Sequence, residues 1–123
     1  MKTYFYLACA VTLLCSFDGC AIVSSIAAQR GRSDARADLH AGNLATESFG
    51  KPAHYRPVYH RLLKDRYGVD SRVVAGCGVD NRIIGHANGY NEVMCAEIRR
   101  RFGKDVFERT AADAKRIYFN NHQ

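Results

Sequence analysis

The sequence lacks almost every pattern that announces a reaction. Its five histidines and five cysteines include no H-E-x-x-H pair and no finger-type spacing, so His40, His54, His60, His86 and Cys95 form no recognisable zinc motif. Gly76-Cys77-Gly78 lacks a third glycine, and Gly85-x-x-x-Gly89 lacks the Lys–Ser/Thr that completes a P-loop, so neither is a phosphate cradle. No cysteine-hydrolase signature surrounds Cys77. No metal and no cofactor is expected from these motifs. An unbroken apolar stretch of about 20 residues, the length of a membrane span, is missing too. The run that begins at Tyr4 meets Asp18, which costs roughly 2.5–3.5 kcal/mol at the centre of a bilayer.

What the chain does have is an informative start. Met1-Lys2 is a minimal basic opening, Tyr4 to Cys15 is a short apolar run, and Phe17-Asp18-Gly19-Cys20 breaks it. A charged start, a short apolar segment and a small-residue exit read as an export signal over residues 1–19. An uncleaved membrane span is one alternative. Another is ordinary signal cleavage near Ser25-Ile26-Ala27, where small residues lie two apart, which releases a soluble periplasmic or secreted protein without Cys20.

Phe17-Asp18-Gly19-Cys20 resembles the lipobox of bacterial lipoproteins. That resemblance implies diacylglycerol on the Cys20 thiol, cleavage before Cys20 and acylation (palmitate or a similar chain) of the new amino terminus. Ala21 stands where an aspartate marks inner-membrane retention in Gram-negative lipoproteins, which implies the periplasmic face of the outer membrane. Two or more acyl chains, at about 0.8 kcal/mol per buried methylene, anchor stably where one does not.

From Cys20 onward 104 residues remain, with 17 Lys/Arg against 11 Asp/Glu. That length suits one domain with a modest core. An isoelectric point near 9.2 is compatible with an anionic lipid or glycan partner, or with an envelope protein. Nucleic acid is not an expected partner of an exported chain. Once Cys20 carries lipid and the leader takes Cys9 and Cys15, only Cys77 and Cys95 remain. They can pair as a disulfide closing a loop of about 19 residues, worth about 3 kcal/mol, or persist as two buried thiols.

Hydrophobic periodicity outlines the domain. Residues 20–33, small and rich in Ser, Gly and Arg, read as a flexible tether. The single domain then spans 34–120. Asp34 to His40 suggests a short helix, and Asn43 to Phe49 a strand. Residues 55–67 read as a helix, with Pro57 in its first turn, Val58, Leu62, Leu63 and Tyr67 at helical spacing, and Gly68 as its stop. Arg72 to Val79 is a continuous apolar run that suits a strand covered on both faces. Residues 82–88 fit either a hairpin or a helix start. Asn88 can cap a helix whose stripe is Tyr90, Met94, Ile98 and Phe102. Asp105, with Glu108 three residues on, suggests a variant capping box for a last helix whose buried face is Val106, Phe107, Thr110, Ala111, Ala114, Ile117 and Tyr118. Asn120 onward should fray. The expected fold is a small α+β domain. It has a short two-stranded sheet, parallel if both strands are real, packed by three to four helices that include a C-terminal helical hairpin.

Two clusters are candidates for chemistry. Cys77, between glycines at a strand end, is a nucleophile if His54, His60 or His86 serves as its base. Asp80, His86, Tyr90, Asn91 and Glu92 gather around a helix start near that strand end, where anions and ligands often bind. Arg99-Arg100-Arg101 fan over about 200° of a helix, so they cannot all face one ligand. Gly89–Phe107, with the preceding Val73–Cys77, resembles a pattern found in small bacterial proteins of unknown function, which implies no activity. The expectation is a membrane-anchored envelope lipoprotein that binds a ligand or partner, with a small exported hydrolase using Cys77 as the alternative.

Overall fold

The computed structural model describes residues 19–121, with side chains from Ala21 onward. The leader expected over the first residues, including Phe17 and Asp18 of the lipobox-like tetrapeptide, lies outside the described residues.

Two helices of 22 residues carry the architecture: α1, Gly19–His40, and α3, Asn81–Phe102. The first is a correction, because residues 20–33 are not a tether. They continue into the helix expected at 34–40 and pack along α3. Sequence periodicity hides this helix because its contact row is made of small residues. Ala27, Gly31 and Ala35 recur every four positions and are all buried, whereas hydrophobic patterning registers only large apolar side chains. Gly85 and Gly89 form the matching row on α3. A Cβ on Gly85 would lie 2.6 Å from the Ser24 carbonyl oxygen, and one on Gly31 or Gly89 would overlap the backbone of His86 or Ala28. The two helices therefore touch backbone to backbone, and tertiary contact outweighs the low helix propensity of glycine.

Between them lies the sheet. β1, Leu44–Phe49, runs parallel to β2, Val69–Ala75, in a register from Leu44–Val69 to Ser48–Val73 with an irregularity before Phe49–Ala75. The connecting helix α2, Arg56–Tyr67, ends as expected at Gly68, whose φ of 68° only glycine adopts freely. β2 begins directly after that turn, three residues earlier than its apolar run suggests, and Gly76-Cys77-Gly78 falls in the following loop. The expected two-sided burial is also overturned. Val69 is buried, but Val73 and Val74, which point to opposite faces, are 61% and 36% exposed, because the helices do not cover the carboxyl end of β2 on either face.

α3 starts at Asn81 rather than at Asn88. One oxygen of the Asp80 carboxylate accepts from the backbone N–H of Arg82 and of Ile83, each at 2.9 Å, which satisfies two orphan donors of the first turn. The last helix, α4, spans Val106–Asn120. Of its expected buried face, Val106, Thr110 and Ala114 are buried, and Phe107, Ala111, Ile117 and Tyr118 are partly so. Its capping box does not form. Asp105 makes no side-chain cap bond, because its carboxylate holds Arg109 at 2.9 and 3.0 Å. Glu108 instead reaches Arg99 at 3.5 Å.

The result is a small α+β domain. α1 lies on α3, α3 lies against β1, and α2 and α4 pack together beside β2. The core joins Leu44 and Ala45 of β1, Leu63 of α2, Val69 of β2, Tyr90, Met94 and Ile98 of α3, and Val106 of α4. α3 and α4 form the C-terminal helix pair, turning at Gly103.

Candidate functional site

Beside the glycine seam, α1, β1, β2 and α3 exchange a set of charged side chains. His86 stands at the centre. Its Nδ1 lies 3.0 Å from a Glu47 carboxylate oxygen and its Nε2 lies 2.9 Å from one of Asp34. Only the imidazolium donates from both nitrogens, so this geometry favours the charged ring. The Asp34 carboxylate, and after it Glu47, holds the His86 pKa above the ordinary histidine value. One turn further along α3, the Tyr90 hydroxyl donates to Asp38 at 2.5 Å, and Arg72 of β2 donates to Asp38 at 2.9 Å. The Tyr90 hydrogen bond draws the Asp38 pKa below the usual carboxylate range, while burial pushes the Tyr90 phenol well above that of a free tyrosine.

Asn91 plays a different part. Its side-chain amide accepts from the Glu47 N–H at 2.8 Å and donates to the Glu47 carbonyl at 2.7 Å. In a strand, the N–H and C=O of one residue point to the same side. Asn91 therefore acts as a one-residue partner strand that closes the outer edge of β1. Glu92 extends the set outward by pairing with Arg32 at 3.0 Å.

These contacts place the candidate residues plainly. Asp80 is a helix cap, Tyr90 is in the core, Asn91 closes a strand edge, and Glu92 lies on the surface. His86, Tyr90 and Asn91 do share one network, but its polar atoms point at one another rather than into a cavity. Glu47, Asp34, Asp38 and Arg72, the partners that complete it, were not singled out by sequence. The signal for Glu47 was available: a lone carboxylate inside an otherwise uncharged strand, Leu-Ala-Thr-Glu-Ser-Phe, is seldom buried without a partner.

Cys77 and Cys95 are both free thiols, which overturns the disulfide. Cys77 is exposed in the loop after β2, and Cys95 is half-buried on α3, where burial raises its pKa. His86 is a poor base for Cys77, since both ring nitrogens are committed to carboxylates. Of the three arginines, Arg100 and Arg101 both grip Glu97 within 2.7 Å, and Arg99 lies over the Phe107 ring. They fan apart as their spacing requires.

Two concave regions remain. A groove of about 370 Å³ runs beside the seam, between Val23, Ile26 and Ala27 of α1 and Arg82 and His86 of α3. It continues into the exposed face of α1, where Ile22, Val23 and Ile26 are 54%, 43% and 51% exposed. The second, about 420 Å³, opens past the carboxyl ends of both strands, between Pro52, His54, Arg56, Pro57, His60 and Val73. His54 precedes α2 and His60 lies on it, and both line this one groove. Among the described residues no cluster of three or more His, Cys, Asp or Glu is placed to hold a metal ion, and no helix is long and apolar enough to cross a membrane.

No family model matches this chain, and no curated protein or solved structure matches it either.

Proposed function

We propose that this chain is a lipid-anchored module of the bacterial cell envelope, attached through Cys20 and built to bind a ligand or partner rather than to catalyse. One observation carries the reading. The first turns of α1, which contain Cys20, present Ile22, Val23 and Ile26 to solvent, as suits a helix end resting in a lipid interface. Fully burying one such side chain is worth about 1.5–3 kcal/mol, so three half-exposed ones add several kcal/mol to what acyl chains supply. Arg30 lies one turn beyond Ile26 and lines the same groove, where it can meet anionic headgroups.

The glycine seam supports cleavage before Cys20 over cleavage near Ser25-Ile26-Ala27. The second cut removes Ser24 and its neighbours, the backbone on which Gly85 rests. The hydrolase alternative draws no support from His86, whose two ring nitrogens are both held by carboxylates.

The test is metabolic labelling with radioactive palmitate in a bacterial host. Label should enter the wild-type chain and be lost in Cys20→Ser. An unlabelled wild type, or a Cys20→Ser chain that keeps its label, contradicts the proposal.

A further inference from the structure

The groove past the strand ends has the wrong charge balance to be left empty. Arg56 lines it, and its Nη1 is fully covered without meeting any hydrogen-bond acceptor. Among the described residues Arg56 has no carboxylate partner, whereas most other arginines that line α-helical surfaces here are paired, among them Arg66, Arg100, Arg101, Arg109 and Arg116. Nothing acidic lines the groove. A covered guanidinium nitrogen without an acceptor is costly, no group among the described residues supplies that acceptor, and the charge balance of the groove favours an anion. His60 faces the same space, and burial followed by the Arg56 charge lowers its pKa. His54 is held at the rim by stacking on Tyr118, ring centroids 6.4 Å apart. A second recess of about 260 Å³, on the other side of Arg56, adds Tyr55 and Tyr59, and Lys115 lies 5.2 Å from the centre of the Tyr55 ring. The lining of both recesses is thus basic and aromatic, with no carboxylate in it. It also lies beyond the carboxyl ends of two parallel strands, the place where open α/β sheets hold ligands.

From this we infer that the groove between the β1–α2 loop and the end of β2 binds a phosphate group, with Arg56 as its principal anchor and His54 and His60 as additional donors. The planar guanidinium fork matches the oxygens of a phosphate. An imidazole beside it donates a hydrogen bond, and donates better once the bound dianion favours its protonated form. The phosphate belongs to a soluble phosphomonoester or to a lipid headgroup, and the groove recognises the chemistry common to both. This inference deepens the binding-module reading and rests on it. It fails separately, however, since loss of the Cys20 anchor leaves the groove intact.

The experiment follows His60 by NMR in the full chain while inorganic phosphate and then phenyl phosphate are added. Vesicles of phosphatidylcholine, with and without phosphatidic acid, form the lipid arm. Saturable binding is expected, with an upward shift of the His60 titration, and Arg56→Gln should weaken it at least tenfold. Lys104→Gln, a cationic control that lines neither groove, should leave it unchanged. Should Arg56→Gln fail to fold, Arg56→Lys and His60→Gln provide the same reading: each weakens binding while the fold persists. Binding to phosphate alone assigns a soluble ligand, and binding to phosphatidic acid vesicles with similar strength assigns a headgroup. Equal losses in Arg56→Gln and Lys104→Gln, or no saturable binding of any probe, overturn the inference.

Discussion

The α1–α3 seam and the groove beyond the strands are built on opposite principles. At the seam the principal groups meet their complements. Glycine meets backbone, Asn91 meets a strand edge, and His86 and Arg72 meet carboxylates. In the groove one nitrogen of a guanidinium is covered without an acceptor. A region satisfied within the chain has a stabilising role, and a region left unsatisfied points to something outside the chain. The residues that looked most functional by type, His86, Tyr90 and Asn91, are on the satisfied side. The residue that carries the strongest ligand signal, Arg56, looked ordinary.

Glycine substitution gives the largest contrast. Gly89→Ala forces a Cβ into the Ala28 backbone and should cost about 3 kcal/mol, the upper end for overpacking a tight contact, even though alanine favours helix by about 1 kcal/mol. Gly76→Ala, with nothing within 4 Å, should change stability by less than about 0.5 kcal/mol. Urea denaturation of both variants measures the difference. If they respond alike, the close-packed seam is not real.

How much of this was legible in the sequence follows from which forces leave a pattern. α2 was readable because Leu62, Leu63 and Tyr67 are large and end at a glycine. The β1 strand and the Tyr90–Met94–Ile98 stripe were readable for the same reason. α1 was not, since a helix held by glycine and alanine looks like a linker. The true start of α3 was obscured by Gly85 and Gly89, which weaken a helix on their own and make sense only against α1. The polar network was half legible. Its α3 members cluster in sequence, but Asp34, Asp38, Glu47 and Arg72 come from three other elements, and only the fold brings them within reach. Arg56 could not be found at all, because its peculiarity is a missing neighbour.

Removing single polar groups sharpens the contrast further. Tyr90→Phe strips the hydroxyl from Asp38, which then keeps Arg72 and Asn43. A loss of about 1–2 kcal/mol is expected for such a charge-assisted bond, with thermal unfolding as the measure. A loss below about 0.3 kcal/mol contradicts a stabilising network.

The histidines on the two sides should titrate in opposite senses. His86 is raised by its carboxylates, so its contribution is complete below the unfolded value of about 6.5 and is lost as pH climbs through its folded pKa. His60 is lowered by burial and Arg56, so its effect has the other sign, and stability is lost as pH falls through about 6.5 and below. His86→Gln should therefore remove a decline in melting temperature as pH rises above about 6.5. His60→Gln should leave that decline in place and flatten the acid side. An unchanged profile in both variants breaks the distinction. The smallest effect belongs to Cys77→Ser. An exposed thiol with no partner should move stability by no more than about 0.5 kcal/mol, and a larger change would assign that thiol a role the fold does not give it.

The central claim is that the domain begins where the leader ends, with α1 intact and fastened to lipid at its first turn. Intact mass spectrometry of the chain recovered from bacterial envelopes tests it most directly. The account predicts a mature terminus at Cys20 carrying diacylglycerol and a further acyl chain. A terminus near Ala28, which would strip Ser24 from the glycine seam, or a chain still beginning at Met1, contradicts it.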